Sequence, residues 1–308
     1  VKALVLTDRG LRFDASYPDP KPKRNEAIVR VLRAGICGTD LEMLRGYKGF
    51  RGVPGHEFVG EVEWCGRNRR VVGQRVFGEI NVSCGRCRTC RRAGRNHCER
   101  REVLGILKRD GAFAERLSLP SRNLRTVGTR PSVDHQALIE PLAAAAHVLG
   151  QVTLDERSRV VVLGPGRLGR LVAATFGARG RRVTLVGRRD ASPRGADVVV
   201  DCTGSPDGVV RAMEIVRPRG TIVLKSTCAG DAAIPSSVMT SAVVEEVTLV
   251  GSRCGDTDDF EAAAHWIATG RVDVAPLVEA TYRLEDFEKA FEHAARPGAL
   301  KVLFDPAA

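Results

Sequence analysis

The sequence predicts an α/β protein of two units: an antiparallel, barrel-like β unit followed by a doubly wound parallel sheet. Three observations carry this. The first 65 residues hold short β runs broken by turns, "KALVLT", "AIVRVLRAGI" and "FVGEVEW", rich in Val and Ile and partly alternating. At Arg159 the texture changes to "RVVVLGPGRLGRLVAATFGARGRRVTLVG", which reads strand, glycine-rich turn, helix, strand, a βαβ unit of about 30 residues. The runs "ADVVVDCTGS", "GTIVLKST" and "EVTLVGS" then follow, near-continuous apolar strands of the kind buried on both faces of a parallel sheet. A length of 308 residues suits about two domains, and 43% hydrophobic with 28% charged residues is the composition of a globular chain with a real core.

The remaining elements fall into order around these. The opening "VKALVLTDRG" reads as strand and turn and lacks the apolar core of a signal peptide. No run of about 18 apolar residues exists, so no membrane span is expected. "GAFAERLSLP" and "NLRTV" are strand-like, and "DHQALIEPLAAAAHVLGQV" has Ala and Leu at helical spacing. The tail "YRLEDFEKAFEHAARPGALKVLFD" reads as an amphipathic helix, a turn and a last strand. One interval is short: only residues 190–195 separate "VTLVGRR" from "ADVVVDCTGS". A doubly wound sheet places a helix and another strand there. A direct connection would leave an apolar sheet face uncovered, so the expectation is that residues are missing at this point.

The formal charge of +11 comes from forty Arg and eight Lys against 37 acids. The arginines are spread along the chain, densest between Arg86 and Arg101. They read as solvated surface, and no nucleic-acid partner is expected. With no export signal the nine cysteines are expected in a reducing compartment, the cytoplasm, which favours metal over disulfide.

Four of those cysteines, Cys84, Cys87, Cys90 and Cys98, fall within "CGRCRTCRRAGRNHC". Two disulfides in so short a loop would strain one another. Four thiolates on one tetrahedral zinc, with Zn–S near roughly 2.3 Å, would not. An iron–sulfur cluster is the competing metal reading, but the fourth cysteine comes late and no Pro follows it. A zinc-stabilised nucleic-acid binder would want two CxxC knuckles about 15–20 residues apart, whereas here the cysteines crowd into one lobe. Cys65, Cys202, Cys228 and Cys254 read as buried small residues.

Gly164, Gly166 and Gly169 form G-x-G-x-x-G directly between a strand and a helix, the dinucleotide fingerprint in its proper context. The first glycine permits the tight turn, the second lets backbone approach a pyrophosphate, and the third lets helix pack on sheet. The helix N-terminus, with Leu168 in its first turn, then faces the phosphates. The next strand ends in Gly187, Arg188 and Arg189 where an acid would hold a ribose 2′-hydroxyl. A small residue followed by arginines suits a 2′-phosphate, so NADP(H) is favoured; Asp190 is the argument for NAD(H). Thr203, Lys225 and Ser226 stand at strand ends, where open α/β sheets bind ligands.

Three further fragments stand out: "GICGTD" (35–40), "PGHE" (54–57) and "IEPLAAAAH" (139–147). Cys37, His56 and Glu140 supply one thiolate, one imidazole and one carboxylate, a reasonable set for a catalytic zinc with an open position, and Glu57 is a fourth or alternating ligand. Together with the four-cysteine lobe and "GPGRLG", these fragments resemble, in order and approximate spacing, the zinc-dependent medium-chain alcohol dehydrogenases, from Lys2 to Asp305 apart from the short stretch near 190. "EP" at 140–141 is similar to the sorbitol, threonine and glucose dehydrogenase branch. The resemblance implies a GroES-like catalytic domain over 1–145 with its zinc lobe at about 80–100. It further implies a Rossmann domain over 146–270 and a return segment, 271–308, packing on the first. It implies a catalytic Zn²⁺ on Cys37, His56 and Glu140 and a structural Zn²⁺ on the four cysteines. Thr39 would take the alcohol proton and Asp40 would orient His56. Glu42 stands where many members keep a relay histidine.

What the resemblance implies for function is interconversion of an alcohol, polyol- or sugar-like, and its ketone or aldehyde. Hydride would pass from a zinc-bound alkoxide to NADP or NAD in a cleft between the domains. A small-molecule substrate, no membrane and a homodimer or homotetramer complete the expectation, the edge "EVTLVGSRCG" pairing between subunits. Leu44, Tyr47 and Phe50 are candidates for the substrate pocket. The alternatives are a catalytically impaired relative that keeps zinc and cofactor, and the nucleic-acid binder already weighed.

Overall fold

The computed structural model describes residues 1–227 and 233–308. In chain order the first elements are β1 (Ala3–Thr7), β2 (Gly10–Asp14), β3 (Glu26–Gly35), α1 (Gly38–Leu44), β4 (Glu57–Cys65), β5 (Arg75–Gly78) and β6 (Asn81–Val82). Then come α2 (Arg88–Arg92), β7 (Glu102–Leu104), β8 (Lys108–Arg109), β9 (Arg116–Pro120), β10 (Leu124–Thr126), α3 (Val133–Gln136) and α4 (Ile139–Ala146). The glycine-rich region gives β11 (Val160–Leu163), α5 (Arg167–Ala178), β12 (Val183–Val186), β13 (Ala196–Asp201), α6 (Pro206–Ile215), β14 (Val216–Leu224), α7 (Ser236–Val244) and β15 (Thr248–Gly251). α8 (Thr257–Ala268), β16 (Val278–Arg283), α9 (Phe287–Ala295) and β17 (Lys301–Asp305) finish the chain. Two compact units result, 1–140 with 263–308, and 141–262.

The first unit is built on a sheet of order β10-β5-β4-β3-β17-β16, with β9 also paired to β3. β3 pairs antiparallel with β4, β9 and β17, and its ten residues alternate between buried and half-buried. The alternation expected of a half-buried strand is therefore present where the sequence shows it. The last strand runs antiparallel to β3 and parallel to β16, so the chain's end completes the sheet its beginning started. β16 is absent from the sequence reading, although "VEATYR" alternates intermediate and exposed residues with period two. Phe113, Phe291 and Phe304 close the core beside it, with Phe113 and Phe304 edge to face at 5.1 Å. Phe304 is fully buried, worth about 2–3 kcal/mol by area.

β17 also carries a charge inward. Lys301 is buried, and its Nζ donates to Glu57 Oε2 at 2.5 Å and to the Ile36 carbonyl at 3.1 Å.

The second unit is a parallel sheet of order β12-β11-β13-β14-β15. The order reverses between β11 and β13, so the ligand crevice of a doubly wound sheet lies at their carboxyl ends. Residues 187–195 join β12 to β13. Val161, Leu163 and Val186 pack with Ala212 and Ile215 of α6 in one buried cluster. α6 packs on β13 and β14 and α5 on β11 and β12, and the edge strand β12 exposes the polar Thr184. α6 itself starts on Ser205, whose side chain accepts the Gly208 N–H, with Pro206 in the first turn.

Of the single cysteines, Cys65 is buried as expected, but Cys202 and Cys254 are only partly so, and Cys228 lies outside the described residues. No helix among the described residues is long and apolar enough to cross a membrane.

Replacing Lys301 by Met leaves the Glu57 carboxylate buried without its counter-charge. Loss of one partner of such a pair costs about 3–5 kcal/mol. The urea midpoint of Lys301→Met should fall accordingly, and an unchanged midpoint would show that Glu57 finds another partner.

Candidate metal centres and dinucleotide site

Cys37 is the N-cap of α1, and Asp40 sits at the third helical position. Asp40 Oδ2 accepts the Cys37 N–H at 2.7 Å, which fixes the turn that presents the thiol. The other Asp40 oxygen lies 3.5 Å from His56 Nδ1, too long for a good hydrogen bond. Both atoms are buried and without a hydrogen-bond partner. His56 follows Gly55, whose φ is +93° and whose missing Cβ would lie 2.5 Å from the Phe113 ring. Glycine is required there twice over, for the left-handed backbone and for the packed ring. β4 begins one residue later, which places Glu57 beside His56.

The result is a group in which a sulfur of half-buried Cys37, a nitrogen of buried His56 and an oxygen of buried Glu57 lie within 4.8 Å of one another. Burial pushes His56 toward its neutral form, but the charges of Asp40 and Cys37 outweigh it and hold the imidazole well above its ordinary range. A metal cation would relieve the same crowding of negative donors. If the Asp40 side holds Nδ1–H, the other ring nitrogen is left for a ligand role. The donor set of thiolate, imidazole and carboxylate, with two orphaned buried polar atoms beside it, fits zinc.

Thr39 Oγ1 is 3.8 Å from Cys37 Sγ. Glu140 is buried in the first turn of α4 but is not part of that close group. Glu42 pairs with Arg45 at 2.8 Å. Leu44 and Tyr47 are exposed, while Phe50 packs with Leu6 and Met43 in a core cluster. The sequence reading missed Lys301, the residue that neutralises Glu57. Its signal is a lysine that opens the strand "KVLFD" directly before the apolar run Val302–Phe304.

The four cysteines of the lobe also converge. Their sulfurs are 3.4 Å (Cys87–Cys90), 3.6 Å (Cys84–Cys98) and 3.9 Å (Cys84–Cys90 and Cys87–Cys98) apart. A disulfide would need about 2.05 Å. Sulfurs around a tetrahedral zinc lie roughly 3.8 Å apart at the ordinary Zn–S length. The Cys84 N–H points to Cys98 Sγ and the Cys90 N–H to Cys87 Sγ, both at 3.4 Å. Backbone N–H groups of Arg86 and Cys87 draw Cys84 down to about 6 and similar bonding lowers Cys87. Burial and its sulfur neighbours push Cys90 up to about 12.

A third group, His147 with Asp256 and Asp259, is explained by helix capping. Asp256 and Asp259 exchange backbone N–H bonds of 2.9 and 3.1 Å at the start of α8, and Asp259 holds His147 Nδ1 at 2.6 Å.

In the second unit Gly164 has φ +94°, and a Cβ on Gly169 would collide with the Gly164 carbonyl oxygen. A Cβ on Gly166 would meet nothing within 4 Å, so backbone there stands open to a ligand. These are the three glycine roles the motif demands. Leu168 is half-buried in the first turn of α5. Thr203 donates to Asp201 Oδ1 at 2.7 Å, and Lys225, buried, reaches Ser252 Oγ at 3.1 Å. Both stand at carboxyl ends of sheet strands. Arg188 and Arg189 are exposed just past β12, and Asp190 Oδ2 turns back onto the Gly187 N–H at 2.7 Å.

The two metal groups are separable by experiment. Cys90→Ser should lose about one zinc per chain and lower stability first. Cys37→Ser should also lose about one zinc, yet keep the melting transition. Zinc content by atomic absorption, read with thermal melts, distinguishes them. Full zinc content in both variants would overturn both assignments.

The sequence profile of the alcohol dehydrogenase GroES-like domain matches residues 23–128, and that of the zinc-binding dehydrogenase family matches 172–269. L-threonine 3-dehydrogenase of Streptomyces coelicolor is 30% identical over 99% of each chain. Sorbitol dehydrogenase of Halalkalibacterium halodurans is 28% identical, again over 99% of each. Both matches run over 347 residues, more than this chain possesses, so the relatives carry residues it lacks. Among solved structures, the alcohol dehydrogenase TADH from Thermus sp. ATN1 superposes with a TM-score of 0.85 at 26% identity over 99% of each chain. Profiles over both units, full-length relatives and a shared fold establish that the chain belongs to the zinc-dependent medium-chain alcohol dehydrogenase family.

Proposed function

We propose that the protein is a zinc-dependent, NADP(H)-preferring oxidoreductase of a polyol- or sugar-like alcohol. The observation that carries this is the buried convergence of Cys37, His56 and Glu57, with Asp40 behind His56, in a chain of this family. Bound zinc would supply Lewis acidity that makes an alcohol hydroxyl acidic near neutral pH, and a bound nicotinamide would accept the hydride. The chain's own residues do the rest. Cys37, His56 and Glu140 are the proposed metal holders. Glu57 already gives one oxygen to Lys301, which leaves it a secondary donor. Thr39, beside Cys37, is the proposed acceptor of the substrate proton. The sorbitol and threonine dehydrogenases among the relatives support a small polar alcohol as substrate. The nucleic-acid alternative and the impaired relative draw no support from the comparisons.

The NADP(H) preference rests on Arg188 and Arg189, which are exposed and in no ion pair among the described residues, and on Asp190, whose carboxylate is turned onto its own loop. A reducing, cytoplasmic setting is proposed because the four lobe cysteines are free thiols suited to metal. A homodimer or homotetramer is proposed because β15 is an open sheet edge, and Leu249 on it and Met239, Val243 and Val244 on α7 are exposed apolar side chains.

Calorimetric titration of the zinc-replete protein should show tighter binding of NADPH than NADH. Arg188→Ala with Arg189→Ala should weaken NADPH at least about tenfold and NADH little, since each charged hydrogen bond is worth about 1.5–3 kcal/mol. Equal losses would refute the 2′-phosphate role. Glu140→Gln should lower zinc content at the catalytic site more than Glu57→Gln, and the reverse order would make Glu57 the ligand.

A further inference from the structure

We propose that Arg211 is a positioning residue for the cofactor's 2′-phosphate: it clamps the shortened β12–β13 connection and so holds Arg188 and Arg189 in place. In a longer doubly wound sheet, a helix and a strand would support this corner. Here one side chain of α6 does so. Arg211 Nη1 donates to the carbonyls of Gly187 at 2.6 Å and Arg188 at 3.3 Å. Its Nη2 donates to the Asp190 carbonyl at 2.5 Å, and its Nε to Ser192 Oγ at 2.8 Å. A single guanidinium thus satisfies four acceptors spread over residues 187–192. The planar fork of five N–H donors makes this possible, and an ammonium could not reproduce it.

The loop is tied from within as well, by the Asp190 carboxylate on the Gly187 N–H. It also abuts the phosphate-binding turn. A Cβ added to Gly187 would stand 3.4 Å from the Pro165 ring, inside the G-x-G-x-x-G motif. The bonded carbonyls at 187, 188 and 190 bracket the two arginines, so the backbone that carries both is pinned next to the turn expected to hold the pyrophosphate. Preorganised in this way, Arg188 and Arg189 lose little conformational freedom when a phosphate arrives.

This inference rests on the NADP(H) reading, and the experiment separates the two. Arg211→Met and Arg211→Lys are made in the full chain. NADPH and NADH affinities are measured by calorimetry. Amide hydrogen exchange of peptides spanning 187–192 is followed without cofactor. In Arg211→Met, exchange should quicken, NADPH affinity should drop about tenfold or more, and NADH affinity should stay within about threefold; Arg211→Lys should fall between. Unchanged exchange overturns the clamp. Quicker exchange with equal losses of both cofactors overturns the positioning role. A wild type that prefers NADH is the failure of the 2′-phosphate reading itself. A wild type that prefers NADPH while Arg211→Met keeps the same ratio is the failure of this inference alone. Should Arg211→Met not fold, Ser192→Ala removes one of the four bonds and should move exchange and the NADPH-to-NADH ratio in the same direction; no movement in either overturns the proposal.

Discussion

The buried pair of Lys301 and Glu57 ties the last strand of the first unit to its candidate metal centre. Glu57 opens β4 next to His56, and Lys301 opens the last strand of the chain. Taking two charges out of water costs several kcal/mol each, and the pair is tolerable only because both are well bonded. Lys301 spends a second hydrogen on the Ile36 carbonyl, one residue before Cys37. One ammonium therefore registers the segment carrying Cys37, the strand carrying His56 and Glu57, and the returning C-terminal strand. The phenylalanine cluster around Phe304 supplies the apolar counterpart of that registration.

The two metal groups are held by different physics. At Cys37 and His56 the donors sit on sheet and helix ends inside a packed core, positioned by Asp40 and by the obligatory Gly55. In the lobe the cysteines stand on a five-residue helix and short turns with little apolar cover. Such a segment cannot hold itself together by burial, so ligand bonds must replace the core. Exposed arginines surround it, and their charge offsets the net negative charge that four thiolates leave on one zinc.

In the second unit α6 contributes Ala212 and Ile215 to the buried cluster of the sheet. From the same helix Arg211 bonds the carbonyls of the loop after β12. Apolar packing and polar loop bonds come from one element.

Much was legible in the sequence because the chemistry imposed residue types at short range. The G-x-G-x-x-G turn, the four-cysteine spacing and the GICGTD and GHE fragments each encode a local geometry, and the apolar strands encode their burial. Asp40 is likewise local, three residues from the backbone group it caps. What the sequence by itself determined was therefore the fold class, the convergence of the four lobe cysteines and the glycine-rich turn, whereas of the expected set Cys37, His56 and Glu140 the close group holds Cys37 and His56 with Glu57. What only the tertiary structure decided were the partnerships across distance: Lys301 on Glu57, Phe113 against Gly55, α6 against β13 and β14, and Arg211 on the loop after β12. These depend on which surfaces meet after the chain has closed on itself. A lysine in an apolar strand or an arginine on a helix has no partner in one dimension, because burial and proximity exist only once the strands are paired.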